Sequence, residues 1–215
     1  MASRGGPRNL RPAGGFQQQV EAEVPAPDED ALRMLAFQAG DAAAFDALFQ
    51  RWSAPLLRYL ERMVKDRASA EELVQEAFLR VYRARERYAP EARFSTWIYR
   101  IATNLALNEL RRPRWRDPHQ SRDAAGAPEL AAAGAGADEL VHARRLGAWV
   151  ERELGALPER QRAALWLTAV DGLSYAEVAQ ALEVSEAAVK ALVHRARAGL
   201  AERLGPGDAQ RTERE

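Results

Sequence analysis

The sequence predicts an all-α protein: two small helical domains joined by a flexible linker, the C-terminal one containing a helix-turn-helix. Three observations carry this prediction. No segment alternates polar and apolar residues as a strand would. Apolar residues recur at spacings of three and four in two separate blocks, and a stretch rich in Ala, Gly and Pro, with no amphipathic stripe, divides them.

Residues 1–28 are rich in Gly, Pro, Gln and charge and have few side chains able to bury surface, so they are expected to be a disordered extension. The acidic run from Glu21 to Asp30, five acids with no base, is expected to be a solubilising tail. The first domain spans 29–112. Within it Phe45, Leu48, Phe49, Trp52, Leu56, Leu60, Met63 and Val64 form a helical stripe, which Pro55 is expected to kink or restart. Ser69 and Glu72 have the spacing of a capping box and predict a helix from there to about Arg87. Tyr88 to Arg93 is a loop, punctuated by Pro90.

The next helix, 94–112, has two distinct faces. At about 100° per residue, Phe94, Ile98, Ile101, Ala102 and Leu105 share an apolar face, and Thr96, Arg100, Thr103, Asn104 and Arg111 lie roughly opposite, with Trp97 and Asn108 at the border. Arginines that hold phosphate, an aromatic ring that stacks on bases and amides that read base edges suit an unpaired nucleic-acid strand.

Pro113 ends that helix, and residues 113–138 form the linker. The second domain spans 139–205. Asp138 is the expected N-cap of a helix carrying Leu140, Leu146, Trp149, Val150 and Leu154; Pro158 opens a further helix that stops at Asp171-Gly172. Ser174 and Glu177 make a second capping box before a short helix with Val178, Ala179 and Leu182 inward. After a three-residue turn at 183–185, Ser185 caps a longer helix carrying Val189, Leu192, Val193, Ala196 and Leu200. In such a motif the second helix enters the major groove, and its outward residues here are Glu186, Lys190, Ala191, His194, Arg195 and Arg197. Residues 206–215 form a tail.

The formal net charge is zero, which argues against a generic polyanion binder, but charge is segregated: residues 93–116 carry six arginines against Glu109 alone. Arginine supplies all basic residues except Lys65 and Lys190, so arginine identity by itself says little about phosphate binding. There are no cysteines and three histidines without metal-ligand spacing, so no metal or other cofactor is expected. No run of about 18 apolar residues is present to span a membrane, and Met1 to Gly15 lacks the apolar core of a secretory signal, so a cytoplasmic protein is expected. The carboxylates sit in capping boxes and on solvated faces, with no nucleophile–base pairing and no phosphate-cradling glycine loop, so an enzyme is not expected.

Four strings, ASAEELVQEAFLRVYRARERY, FSTWIYRIATNLALNELRR, LGALPERQRAALWL and DGLSYAEVAQALEVSEAAVKALVHRARAGL, stand in the order and spacing of the extracytoplasmic function group of the sigma-70 family, which the chain resembles over about 29–112 and 139–204. The resemblance implies a bacterial transcription initiation factor that binds core RNA polymerase, directs it to promoters and nucleates melting. It implies that Leu73, Gln75, Glu76, Phe78 and Leu79 meet the clamp of the largest catalytic subunit, and that the second domain meets the flap of the second-largest. It places the promoter's minus-ten element on Arg93, Phe94, Ser95, Thr96, Trp97, Arg100, Asn104, Asn108, Arg111 and Arg112, with Tyr88 to Ser95 accepting a flipped base. It places the minus-thirty-five element on Lys190, Ala191, His194 and Arg195, to which the helix geometry adds Ser185, Glu186 and Arg197. An anti-sigma factor that sequesters the protein is a further implied partner. The competing expectation is a stand-alone helix-turn-helix regulator, which would bind DNA specifically without polymerase.

Overall fold

The computed structural model describes residues 28–112, 147, 149 and 151–208. The expected extension up to residue 27, the linker, the N-cap at Asp138, Leu140, Leu146 and the last residues of the tail lie outside the described residues. Among the described residues every regular element is helical.

The N-terminal half contains α1 (Glu29–Gln38), α2 (Ala42–Val64), α3 (Arg67–Ala84), a 3-10 turn (Arg85–Arg87) and α4 (Phe94–Leu110). Met34, Leu48, Leu56, Leu60, Met63, Val81, Phe94 and Ile98 are fully buried between these helices. The apolar stripes read from the sequence therefore do point inward. Four expectations need correction. Pro55 sits inside α2 without interrupting it, since α2 runs unbroken to Val64; the lost N–H bond is a local defect that packing on both flanks outweighs. Helix α3 begins before Ser69: Asp66 is its N-cap, and its carboxylate accepts from the Ser69 N–H at 2.8 Å. The carboxylate is a stronger acceptor than a serine hydroxyl and catches the same free end.

The third correction concerns the acidic run. Asp28 accepts from the Ala31 N–H at 2.8 Å and from the Phe94 N–H at 3.2 Å, so one carboxylate caps α1 and ties down the start of α4. Asp30 is buried and accepts from Trp52 Nε1 at 3.1 Å, from Arg33 at 2.7 Å and from Arg51 at 3.0 Å. The end of the run is thus structural, and the helix it opens, α1, had no apolar period distinct enough to be foreseen. The fourth concerns the second face of α4: Thr96 is 2% exposed and Thr103 is fully buried, with the Thr103 hydroxyl 2.7 Å from that of Tyr59. Helix α2 reaches round to cover part of the surface expected to be open.

The C-terminal half contains α5, whose described run is residues 151–156, then α6 (Glu159–Ala169), α7 (Tyr175–Leu182) and α8 (Glu186–Asp208). Pro158 precedes α6 as its N-cap, and the Ser174–Glu177 capping box is present in full. Leu157, Leu167, Leu173, Val178, Leu182, Val189, Val193 and Ala196 are buried. The two halves pack together: α7 lies along α4, α6 meets the end of α2, and the buried residues form one continuous cluster.

Candidate nucleic-acid interface

On α3, the residues expected to meet a partner divide by exposure. Leu73 and Phe78 are buried and hold the helix to its own core. Gln75 is exposed, Glu76 is half-buried and pairs with Arg80 at 2.9 Å, and Leu79 is 41% exposed. Phe49 and Tyr82 are also exposed, at 43% and 45%, and Phe49 packs its ring 4.7 Å from that of Phe78. An apolar strip of this kind beside polar groups is a surface that a partner helix can cover.

Helix α4 is positioned by the Asp28 cap and by Phe94, whose ring is fully buried between those of Trp52 and Trp97 at 6.1 and 5.7 Å. Phe94 is therefore a core residue that backs Trp97. The Trp97 ring is half-buried, its edge set against Tyr88 at 5.0 Å and against Phe94. The Tyr88 and Thr96 hydroxyls are buried beside this pair of rings in sequence, and neither has a hydrogen-bond partner. Burial pushes the Tyr88 phenol up to about 12, with Asp28 nearby adding to the shift, so it stays a neutral donor at any physiological pH.

The outer edge of α4 presents Arg100 and Asn108, both exposed, and Asn104, which is half-buried. Arg111 donates to Asn108 Oδ1 at 3.3 Å and Arg112 pairs with Glu109 at 2.9 Å; both arginines are exposed beyond the last turn. Arg93 and Ser95 face a different way, into a cleft of about 490 Å³ that the C-terminal half closes. There Arg93 meets Glu177 of α7 at 3.5 Å. The ten residues assigned to this element by sequence thus separate into an outward set, a set facing the other half, and the buried Phe94 and Thr96.

The helix-turn-helix forms as expected. Glu183, in the turn, adopts the left-handed conformation at φ 54°, the place where glycine is usual, and Ser185 accepts the Ala188 N–H at 3.2 Å to start α8. Val189, Val193 and Ala196 bury one side of α8, leaving Ser185, Glu186, Lys190, His194, Arg195 and Arg197 exposed and Ala191 half-buried. Of the seven residues predicted for a DNA groove, six are exposed on α8 or at its cap, and Ala191 is half-buried among them.

The groups between the halves have no distinct signal in the sequence. Arg162 is 5% exposed and Asp171 lies beside Tyr99, Arg58 and Trp166. Burial pushes the Asp171 carboxyl up to about 6, against the pull of those three neighbours. In the sequence Asp171 marks only the end of a helix; an arginine and an aspartate in an arginine-rich chain give no signal of burial until the second half is docked. Among the described residues, no cluster of three or more His, Cys, Asp or Glu side chains is placed to hold a metal, and no helix is long and apolar enough to cross a membrane.

Two family models match the chain in order. Sigma-70 region 2 matches residues 48–116, and Sigma-70, region 4 matches residues 148–200. The ECF RNA polymerase sigma-E factor of Escherichia coli (strain K12) is 33% identical over 174 residues, covering 79% of this chain and 91% of that protein. The RNA polymerase sigma-H factor of Pseudomonas aeruginosa is 33% identical over 175 residues, covering 79% and 90%. Among solved structures, CnrH in complex with the cytosolic domain of CnrY aligns with a TM-score of 0.62 at 25% identity, over 84% of this chain and 99% of that one. The sigma factor RpoE of Bartonella quintana, in complex with the anti-sigma factor NepR, has the same fold at a TM-score of 0.57 and 20% identity, over 76% and 98%. With both regions matched in order and relatives covered almost end to end, the chain belongs to the ECF group of the sigma-70 family and is a sigma factor of transcription initiation.

Proposed function

We propose that three separate surfaces divide the work of initiation. Core polymerase is held by α3 through Gln75, Glu76 and Leu79, with Leu73 and Phe78 fixing that helix from below. The observation that carries this assignment is the exposed strip of Leu79, Tyr82 and Phe49, apolar area that the chain leaves uncovered.

Promoter DNA engages two helices. The opened strand at the minus-ten element lies along Trp97, Arg100, Asn104, Asn108, Arg111 and Arg112, with Arg93 and Ser95 joining once the other half moves away. Trp97 supplies the stacking face, and the unpartnered Tyr88 and Thr96 hydroxyls beside it in sequence suit a flipped base, whose unstacking costs a few kcal/mol that new bonds must offset. Thr96 acts only if the loop before α4 shifts, because it is buried in the free chain. The minus-thirty-five element is read by Lys190, Ala191, His194 and Arg195, with Ser185, Glu186 and Arg197 at the phosphates and groove edges. The chain works by binding and strand separation, not by bond-breaking chemistry, and does so in the cytoplasm where polymerase and promoter are found. A sequestering anti-sigma partner is part of this reading.

Leu79→Arg tests the first surface. It places a charge in the apolar strip and is expected to lower core-polymerase affinity by at least about tenfold, about 1.4 kcal/mol, with the fold unchanged by circular dichroism. Unchanged affinity removes α3 from the assignment.

A further inference from the structure

Helix α1 carries none of the surfaces assigned above, yet its two ends hold the two ends of the loop at 88–93. At its first end, Asp28 Oδ1 accepts the Ala31 N–H at 2.8 Å and caps α1, while Oδ2 accepts the Phe94 N–H at 3.2 Å, where α4 begins. At its other end, Gln38 donates from Nε2 to the carbonyls of Glu86 at 3.2 Å and Tyr88 at 3.4 Å, where the chain leaves the 3-10 turn after α3.

The N-terminus of α4 needs such a partner. Arg93, at its N-cap position, makes no side-chain capping bond, and no acid stands in the first turn. The first N–H groups of a helix have no partner within it and carry the positive end of its dipole, which a carboxylate suits. Asp28, 66 positions back in the chain, is that carboxylate. The loop itself is slack: its residues, at about 3.3 Å each, can span up to ~20 Å, and its internal bond, from the Glu91 N–H to the Ala89 carbonyl at 2.9 Å, closes only a small turn. Helix α1 is not slack. At about 1.5 Å per residue it is a rod of ~15 Å. Its far end is seated by Phe37, buried against Phe45 and Tyr82 at 4.8 and 5.5 Å and covered by the Arg85 guanidinium. The rod thereby fixes the spacing between Tyr88 and Phe94. Those two rings flank Trp97 at 5.0 and 5.7 Å, so a shift at either end of α1 moves the wall on which a base would stack.

Resting on the minus-ten reading above, we propose that α1 is a strut for the base-accepting loop: Asp28 and Gln38 are positioning residues that hold Tyr88 and Phe94 at the spacing that sets Trp97 for the opened strand, without touching DNA. A strut needs both ends. Loss of either frees the loop, and loss of the second then adds little.

Promoter opening by the full chain with core polymerase tests this, read by 2-aminopurine in the minus-ten strand. Asp28→Asn keeps an N-cap for α1 as good as aspartate but turns the second oxygen into a donor, which cannot hold the Phe94 N–H. Gln38→Met keeps length and helix propensity at an exposed position and removes the donor. Each is expected to lower the open-complex equilibrium about 3- to 10-fold, the worth of one hydrogen bond, with core affinity changed less than about twofold and the melting temperature less than about 3 °C. Losses at sites about 15 Å apart multiply when they act separately. In the double variant the strut instead predicts a loss no larger than that of the worse single variant. Opening unchanged in either single variant, losses that multiply in the double, or core affinity falling as much as opening overturns the strut. Trp97→Ala in the same assay isolates the reading beneath it. If opening survives that change, the minus-ten assignment itself fails; opening lost with Trp97→Ala but kept in either end variant removes α1 alone.

Discussion

Replacing Trp97 by alanine separates its two possible roles. Its indole packs edge-on against Tyr88 and Phe94 at 5.0 and 5.7 Å and remains half-accessible. Such aromatic pairs contribute about 0.5–1.5 kcal/mol each beyond area burial, so the variant should lose roughly 1–3 kcal/mol of stability in the N-terminal half. A base stacked on the exposed part contributes about 1–3 kcal/mol more, but only when the strand is open. At about 1.4 kcal/mol per factor of ten, the open-complex equilibrium should fall about 5- to 150-fold, while core-polymerase affinity changes less than about threefold. Fluorescence of 2-aminopurine in the minus-ten strand reads opening, titration with labelled core reads binding, and a thermal melt reads stability. Trp97→Phe, which keeps a stacking face, should recover most of the opening. Equal loss in opening and in core binding would make Trp97 a packing residue only.

Stability should depend on pH through Asp171. Its carboxyl is raised from the ordinary 3.8 to about 6 by burial in the folded chain, against Tyr99 of α4, Arg58 of α2 and Trp166 of α6. A raised carboxyl binds its proton on folding, so its contribution to stability is full below about pH 4 and is lost as pH rises to about 6. Asp171→Asn should abolish that dependence in thermal melts and stabilise the fold at neutral pH by on the order of 1 kcal/mol, after allowing for screening at this half-buried site; an unchanged pH profile rejects the coupling. Asp30→Ala removes the buried acceptor of Trp52, Arg33 and Arg51 and should cost about 2–3 kcal/mol, lowering Tm by about 10 °C. A shift under about 2 °C would return the acidic run to a solvated tail.

The helices were legible because their causes are local. Three-four spacing, the Ser174–Glu177 box, Pro158 and the turn at 183–185 each act within a few residues, and the open side of α8 follows directly from burying Val189 and Val193. What escaped depends on residues far apart in sequence. Asp66 outcompetes Ser69 by chemistry that spacing alone does not rank. Thr96, Thr103 and Tyr99 lie on a face that reads as polar and aromatic, yet all three are buried; Tyr59 of α2 packs on Thr103 and Tyr99, and Asp171 of the second half lies beside Tyr99. Arg162 reads as one more solvated arginine because its five acceptors are backbone carbonyls, which any sequence supplies and none announces.

Run-off transcription with purified core polymerase tests whether the chain confers promoter-specific initiation, using a template with a matched promoter and one with the minus-ten element scrambled. A discrete transcript is expected from the matched template only when both the chain and core are present. No transcript above core alone, or equal transcription from both templates, would contradict it.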